Sequence, residues 1–278
     1  GRGPVGHATR ITSWGEFERN FGGLHPGCET SYAIRNYFLN GGSIAFVVRV
    51  NTNATPATLV VGPNNGGITL AAASPGGWGN NLRIGIARAS GNGVTAFDLL
   101  IREYRGNEVT REESFAGLSS VATHARHVTG VLAAESQLLR VTAHTGGNMP
   151  SPTQSGGSDV LTMGALRQLD ATALAAMSNG GDGTLPGDTD GWQNLALTAI
   201  GAGIDAMDAI LPDVFNLMCL PDVSVMGQAR SAVAAQVYQY ANTYCERNFA
   251  FLIVDPPEGA TRTDIGAWAA ALSGLRRN

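Results

Sequence analysis

Hydrophobic and polar positions follow two different rhythms along this chain. Residues 215–220 and 249–254 are short, nearly continuous apolar runs, closed by Pro221-Asp222 and by Asp255-Pro256-Pro257. Between them Val233, Val237, Tyr240, Ala241 and Tyr244 recur at helical spacing. Such uniform runs predict strands covered on both faces, and two of them joined by a helix predict a right-handed parallel βαβ unit. The first fifty residues carry a related pattern. A short strand is expected at 9–12. Ser13 is placed to cap a helix bearing Trp14 and Phe17, with Glu16 three residues after the cap. Thr30 or Ser31 opens a second helix with Tyr32, Ile34, Tyr37 and Phe38 as its apolar positions. Asn40-Gly41-Gly42 supplies residues that tolerate the left-handed region and stops it. Residues 44–50 are apolar and β-branched, as a strand requires.

After Asn51 the rhythm changes. Residues 59–61, 68–70, 82–87 and 94–104 read as strands separated by Gly/Asn/Pro turns, among them 63–67 and 90–93. A helix at about 121–134 and a strand at 138–143 follow, and then a Gly/Pro/Ser-rich linker at 145–158. The fold class expected is therefore α/β: a core with parallel βαβ units plus an inserted β-rich domain. Residues 1–51 and 160–278 are expected to form the α/β domain, with strand 44–50 in the same sheet as 215–220 and 249–254. Residues 52–159 are expected to form the inserted domain. The remaining helices are expected at 161–177, after Asp190 as a cap (Leu195, Leu197, Ile200, Ile204, Met207, Ile210), and at about 264–275 (Ile265, Trp268, Leu272, Leu275). Arg276 and Arg277 favour the C-terminal dipole of the last one.

Composition narrows the function classes. A chain of 278 residues can bury an ample core. Apolar residues are 44%, charged residues 14% and the net charge −4, and every basic side chain is Arg. No Lys-rich run is present to bind nucleic acid or a membrane surface, and in 52–159 seven Arg balance seven acids. Low charge and many small residues suit a surface covered by partners. Cys28, Cys219 and Cys245 are odd in number and lack zinc-ligand spacing, so reduced, mostly buried thiols are expected. Residues 1–10 lack the apolar core of a signal peptide, and no run approaches the roughly 20 residues of a membrane span.

Candidate chemistry is sparse. Asp222 and Asp255 both follow expected parallel strands, at the carboxyl edge where α/β enzymes place their sites. The alternative function is therefore an α/β enzyme with its site near these two residues; the competing reading is that they end strands and cap turns. His124, His127 and His144 are candidate zinc ligands with no carboxylate pattern beside them. A P-loop needs Lys, which the chain lacks; Gly201-Ala202-Gly203 falls within a helical pattern rather than after a strand; and Gly-x-Ser-x-Gly is absent. A third reading, a carbohydrate- or surface-binding module in the inserted domain, would need an exposed aromatic cluster, for which Trp78, Phe97 and Tyr104 are available.

Four stretches together carry a resemblance. They are Gly3-Pro4-Val5-Gly6 with Ile11-Thr12-Ser13-Trp14, Glu16-Phe17 and Phe21-Gly22-Gly23; Tyr37-Phe38-Leu39-Asn40-Gly41-Gly42-Ser43 running into Ala45-Phe46-Val47-Val48-Arg49-Val50; Ser74-Pro75-Gly76-Gly77-Trp78-Gly79-Asn80-Asn81-Leu82; and 215–222 with Tyr244-Cys245-Glu246-Arg247 and 251–257. In order and spacing the chain resembles the tail sheath proteins of contractile phage tails and related contractile injection particles. The resemblance implies an α/β core with a protruding β-rich domain, and a structural protein with no catalytic residues, metal or cofactor. It implies partners: neighbouring sheath subunits in hexameric rings, an inner tail tube protein, a baseplate and a tail terminator, with neither direct nucleic-acid binding nor membrane insertion. It implies a place in the virion after assembly in the host cytoplasm. Asn40, Gly41 and Gly42 become a helix stop, Pro75, Trp78, Gly79 and Asn80 a tight turn, and Asp222, Asp255 and Pro256 strand ends. The family's N-terminal arm and C-terminal domain have no counterpart in this sequence, which is expected to be a fragment and, taken alone, a monomer or a weakly associating one.

Overall fold

The computed structural model describes residues 1–62, 67–88, 96–144, 149–183, 195–227 and 231–272. The turns expected within 63–66 and 90–93, the Asp190 cap, and Leu275, Arg276 and Arg277 lie outside the described residues. The chain is α/β and divides into two compact units, one of residues 2–53 and 184–278, the other of residues 54–183 with Gly1.

The first unit begins with β1 (Thr9–Ile11), α1 (Trp14–Phe21), α2 (Glu29–Leu39) and β2 (Ala45–Val47). Ser13 caps α1 by accepting from the Glu16 N–H at 3.2 Å, and the Glu16 carboxylate accepts from the Thr12 N–H at 2.6 Å. That Thr12 N–H bond, and then the Thr12 hydroxyl donating at 3.0 Å, hold the Glu16 carboxyl below its usual range. β1 and β2 pair antiparallel, Thr9 opposite Val47 and Ile11 opposite Ala45. Ile11 and Val47 pack with Phe17, Phe21 and Ile34, while Phe46 and Val48 face a second cluster with Met218, Tyr244 and Cys245.

The second unit is built on two antiparallel sheets. One holds β3 (Thr58–Val61), β4 (Ile68–Ala72) and β8 (Leu139–His144); the other, in spatial order, β11 (Ala175–Ala176), β5 (Leu82–Arg88), β6 (Ala96–Arg105) and β7 (Glu108–Ser119). Two short strands, β9 (Gln154–Ser155) and β10 (Ser158–Asp159), form a separate ladder. The main core takes Ile68 and Leu70 from one sheet and Leu82, Ile84, Phe97, Leu99 and Ile101 from the other, with Val128 and Leu132 of α3 (Val128–Glu135). β5 and β6 are buried on their other face too, where Ala87 and Leu100 meet Val160 and Leu166 from the region of α4 (Met163–Arg167). That is why alternation along 96–101 is imperfect in the sequence.

The chain then returns to the first unit. A helical segment over Leu195–Ile210 passes through π, α and 3-10 turns, its α part being α5 (Gly201–Asp205). β12 (Leu217–Cys219), α6 (Pro221–Ser224), α7 (Ser231–Arg247), β13 (Phe251–Ile253) and α8 (Arg262–Ala271) follow. β12 and β13 pair in parallel, Leu217 opposite Phe251 and Cys219 opposite Ile253, so the expected βαβ unit is present with α7 as its crossover helix. Thr261 and Asp264 form a full capping box on α8.

Several expectations are corrected. Among the described residues β2 pairs with β1, in a ladder separate from that of β12 and β13, so these strands do not share a sheet. Residues 160–183 belong with 54–159, because α4 covers the outer face of β5 and β6 and β11 adds to β5. The helix expected at 161–177 ends at Arg167. Three residues on, Asp170 folds the chain into a side-chain turn, accepting from the Thr172 and Ala173 N–H groups at 2.9 and 3.1 Å. The helix expected at about 121–134 starts only at Val128. Along α7, Tyr240 is exposed and Tyr238 is fully buried in its place.

Candidate functional site

The carboxyl edge of the β12–β13 pair is where the sequence points first. Pro221 opens α6 at its first turn, so Asp222 is fixed within four residues of the end of β12. Its carboxylate turns to the start of α2. The Thr30 N–H donates to Oδ1 at 3.2 Å, the Thr30 hydroxyl to Oδ2 at 2.7 Å, and the Cys28 thiol to Oδ2 at 3.7 Å. α2 needs this because its own N-cap, Cys28, makes no side-chain cap bond. Asp222 thus caps a helix that starts nearly two hundred residues earlier, and the carboxylate suits the positive end of the helix dipole. Burial, and then the Asp222 charge, push the Cys28 thiol up to about 11, so it stays protonated at neutral pH and donates.

Asp255 serves a different neighbourhood. Its backbone N–H donates to the Tyr238 hydroxyl at 3.3 Å, tying the end of β13 to α7. Burial, reinforced by the Asp255 charge, raises Tyr238 to about 12. Asp222 and Asp255 share a sheet edge but divide their contacts between α2 and α7. Among the described residues no three His, Cys, Asp or Glu side chains converge as metal ligands.

The other signature positions carry structure. Asn40 closes α2 with its N–H on the Asn36 carbonyl at 3.0 Å, Gly41 at φ +88° donates to Phe38 at 3.3 Å, and Gly42 donates to Tyr37 at 2.9 Å. These bonds make a complete left-handed helix stop. Pro75 enters a 3-10 turn over Gly77–Asn81, in which Trp78 Nε1–H donates to the Ser74 carbonyl at 3.2 Å. Asn80 exchanges two bonds with Gly180, at 2.8 and 2.9 Å, and Gly79 is buried against Ala57 and Ala72. Pro256 is exposed directly after Asp255.

The aromatic and imidazole candidates separate. Phe97 is buried in the main core and Tyr104 is buried as well, while Trp78 is half-buried and bonded, so these three do not form an exposed binding cluster. His127 and His144 meet, Nε2 to Nδ1 at 3.3 Å, whereas His124 Nδ1 accepts from the Arg126 N–H at 3.1 Å.

One feature runs against the sequence reading. Among the described residues, β12 and β13 are covered on one face, by α7. Met218 and Leu252 point into the core, but Leu217, Phe251 and Ile253 are 60%, 58% and 41% exposed, and Cys219, expected to be buried, is exposed beside Ile253. Phe249, just before β13, is 96% exposed. The sequence signal for this surface was present as the uniform apolar runs, read there as burial on both faces.

No protein-family model matches the chain, and no curated protein matches it by sequence. Among solved structures it is similar to a sheath tail protein from Listeria innocua, at 14% identity and a TM-score of 0.49, over 88% of this chain and 42% of that one. It is also similar to a sheath tail protein from Desulfitobacterium hafniense, at 16% identity and a TM-score of 0.44, over 99% of this chain and 57% of that one. The chain therefore spans about half the length of these two proteins.

Proposed function

We propose that this chain is a structural subunit of a contractile tail sheath. It stacks with copies of itself in hexameric rings around an inner tube protein, between a baseplate and a tail terminator, and its contraction drives the tube through a cell envelope. In this reading the protein resides in the virion tail after assembly in the host cytoplasm, and it does no covalent chemistry. The observation that carries the proposal is the outer face of the parallel pair, where Leu217, Phe251 and Ile253 stand exposed among the described residues. Parallel strands are covered on both faces in folded proteins, and exposed apolar patches mark interaction surfaces. A subunit that buries this face on assembly explains it; a site built on Asp222 and Asp255 does not use it. The resemblance of the four sequence stretches to tail sheath proteins supports the same reading. So does the use of Asn40-Gly41-Gly42, Trp78-Gly79-Asn80 and Asp222 as helix stop, turn and cap. The test is electron microscopy of the full-length protein expressed alone and with its tube protein. Regular hollow tubes are expected, longer and better ordered with the tube present. Only discrete, non-polymerising particles under both conditions would overturn the assignment.

A further inference from the structure

The histidine pair lies in the β-rich unit, between the start of α3 and the end of β8. His127 immediately precedes α3, where its carbonyl accepts from the Val131 N–H at 3.0 Å, and its backbone bridges to Ser119. His144 is the last residue of β8, opposite Ile68 of β4. The two rings are tilted by 44° with centroids 5.3 Å apart, and they meet through His127 Nε2 and His144 Nδ1 at 3.3 Å. One such contact needs one N–H donor and one bare nitrogen.

The far nitrogen bears on which is which. His144 Nε2 is buried and has no hydrogen-bond partner. A proton there would be a buried donor without a partner, and a charged one costs more than a neutral one. The arrangement that keeps a proton off that atom has His144 Nδ1–H donating to His127 Nε2. Each way of adding a proton disturbs this. A proton on His144 Nε2 creates the unsatisfied donor, now charged. A proton on His127 Nε2 sets two N–H groups against each other, unless His144 moves its own proton to Nε2. It also places a positive charge at the N-terminus of α3, against the helix dipole.

Nearby charges do not offset the cost. α3 carries only Glu135, at its far end, and β4 carries no titratable side chain. On β8, Arg140 turns to the carbonyls of Ser136 and Leu139, both at 2.6 Å. On β7, Glu113 is held by the Ser136 hydroxyl and the Gln137 N–H, at 2.6 and 2.9 Å. Arg126 donates to the Ala116 carbonyl at 3.1 Å, and His124 is bonded to the Arg126 N–H.

We propose that the His127–His144 contact is an acid-released clasp that ties the start of α3 to the end of β8. Burial, and then a charge on His127, push the His144 pKa below its ordinary value, in agreement with this geometry. A folded pKa below the unfolded one means that the opened form binds protons more readily. The clasp is then at full strength above the ordinary imidazole pKa, about 6.5, and weakens as pH falls below it.

Hydrogen exchange on the whole chain at about pH 7.5 and about pH 5.5, corrected for intrinsic rates, tests the proposal. Protection in α3 and β8 is expected to fall by up to about tenfold per pH unit below 6.5, while β5 and β6 stay unchanged. His144→Leu should remove the difference between the two pH values. Should that variant fail to fold, an NMR titration of the imidazole carbons in the unaltered protein decides. Coupled transitions, with His144 titrating below the ordinary value, are expected. Two independent, ordinary midpoints, or equal protection at both pH values, would overturn the clasp.

Discussion

At the scale of single residues, the two strand-end aspartates look alike in the sequence and behave differently in the fold. Asp222 accepts from the Thr30 N–H and hydroxyl as well as the Cys28 thiol, while the bond recorded at Asp255 comes from its own backbone N–H to Tyr238. Asp222→Ala removes the cap of α2 and is expected to destabilise the protein by about 1 kcal/mol or somewhat more. Asp255→Asn keeps the backbone bond and is expected to change stability by less than about 0.5 kcal/mol. Urea denaturation of both variants reads this order directly. Equal losses, or a stable Asp222→Ala protein, would remove Asp222 from the capping role. Pro-Asp and Asp-Pro are local signals that read both aspartates as strand ends capping turns, whereas Asp222 lies in the first turn of α6. The partner of Asp222 was not legible, because Thr30 is 192 residues away in the chain and no local pattern links them. The histidine contact was half legible: the residue types were evident, but the turn at 122–126 that separates His124 from His127 replaces part of the expected helix.

At the scale of elements, glycine-bearing motifs were the most readable parts of the chain and strand β7 the least. The stop at Asn40-Gly41-Gly42 follows from the chemistry of those residues alone. β7 went unseen because it is polar along most of its length: Glu108 to Arg111 are exposed or half-exposed, and only Phe115, Leu118 and Ser119 are buried. The hairpin joining it to β6 turns at Gly106-Asn107, with Gly106 at φ +61°, a signal that had no apolar run after it to mark a strand. The outer face of β12 and β13 misled in the opposite direction, since an apolar run does not say whether its second cover comes from the same unit. The 3-10 turn at Gly77–Asn81 gives a sharp test of element packing. A Cβ on Gly79 would lie 2.8 Å from the Cβ atoms of both Ala57 and Ala72. Neither alanine has a rotamer to move, so Gly79→Ala must shift backbone and is expected to cost about 1–3 kcal/mol. Gly130→Ala, where a Cβ meets open space on α3, is expected to be neutral or slightly stabilising. Thermal melts of the pair separate close packing from a general intolerance of alanine.

At the scale of the whole molecule, the two units differ in how the chain builds them. The α/β unit is assembled from two separate segments, whereas the β-rich unit is nearly continuous from 54 to 183. Every strand from β3 to β11 pairs with another strand of that same stretch. The boundary expected at 159 from the shift in pattern falls short, and the reason is energetic. Residues beyond it cover β5 and β6: Leu166 packs with Ala87 and Leu100, and Leu174 and Leu166 come so close to Gly85 that a Cβ there would lie 2.9 and 3.0 Å from them. Arg102, only 8% exposed, donates to the carbonyls of Leu169 and Arg167 at 3.0 and 2.9 Å and to Glu112 at 2.8 Å. Cutting at 159 would leave the Arg102 guanidinium with two donors unpaired and uncover apolar side chains on both strands. Losing even one fully buried leucine from a core costs about 2–5 kcal/mol, and a buried donor without its partner about 1–3 kcal/mol more. A segment of residues 54–183 expressed alone is therefore expected to fold and melt in one cooperative transition. Residues 54–159 alone are expected to be less stable by several kcal/mol, enough to unfold most domains of that size. Circular dichroism melts of the two segments measure the difference. Equal stability would place the boundary back at 159 and make α4 and β11 passengers on the sheet.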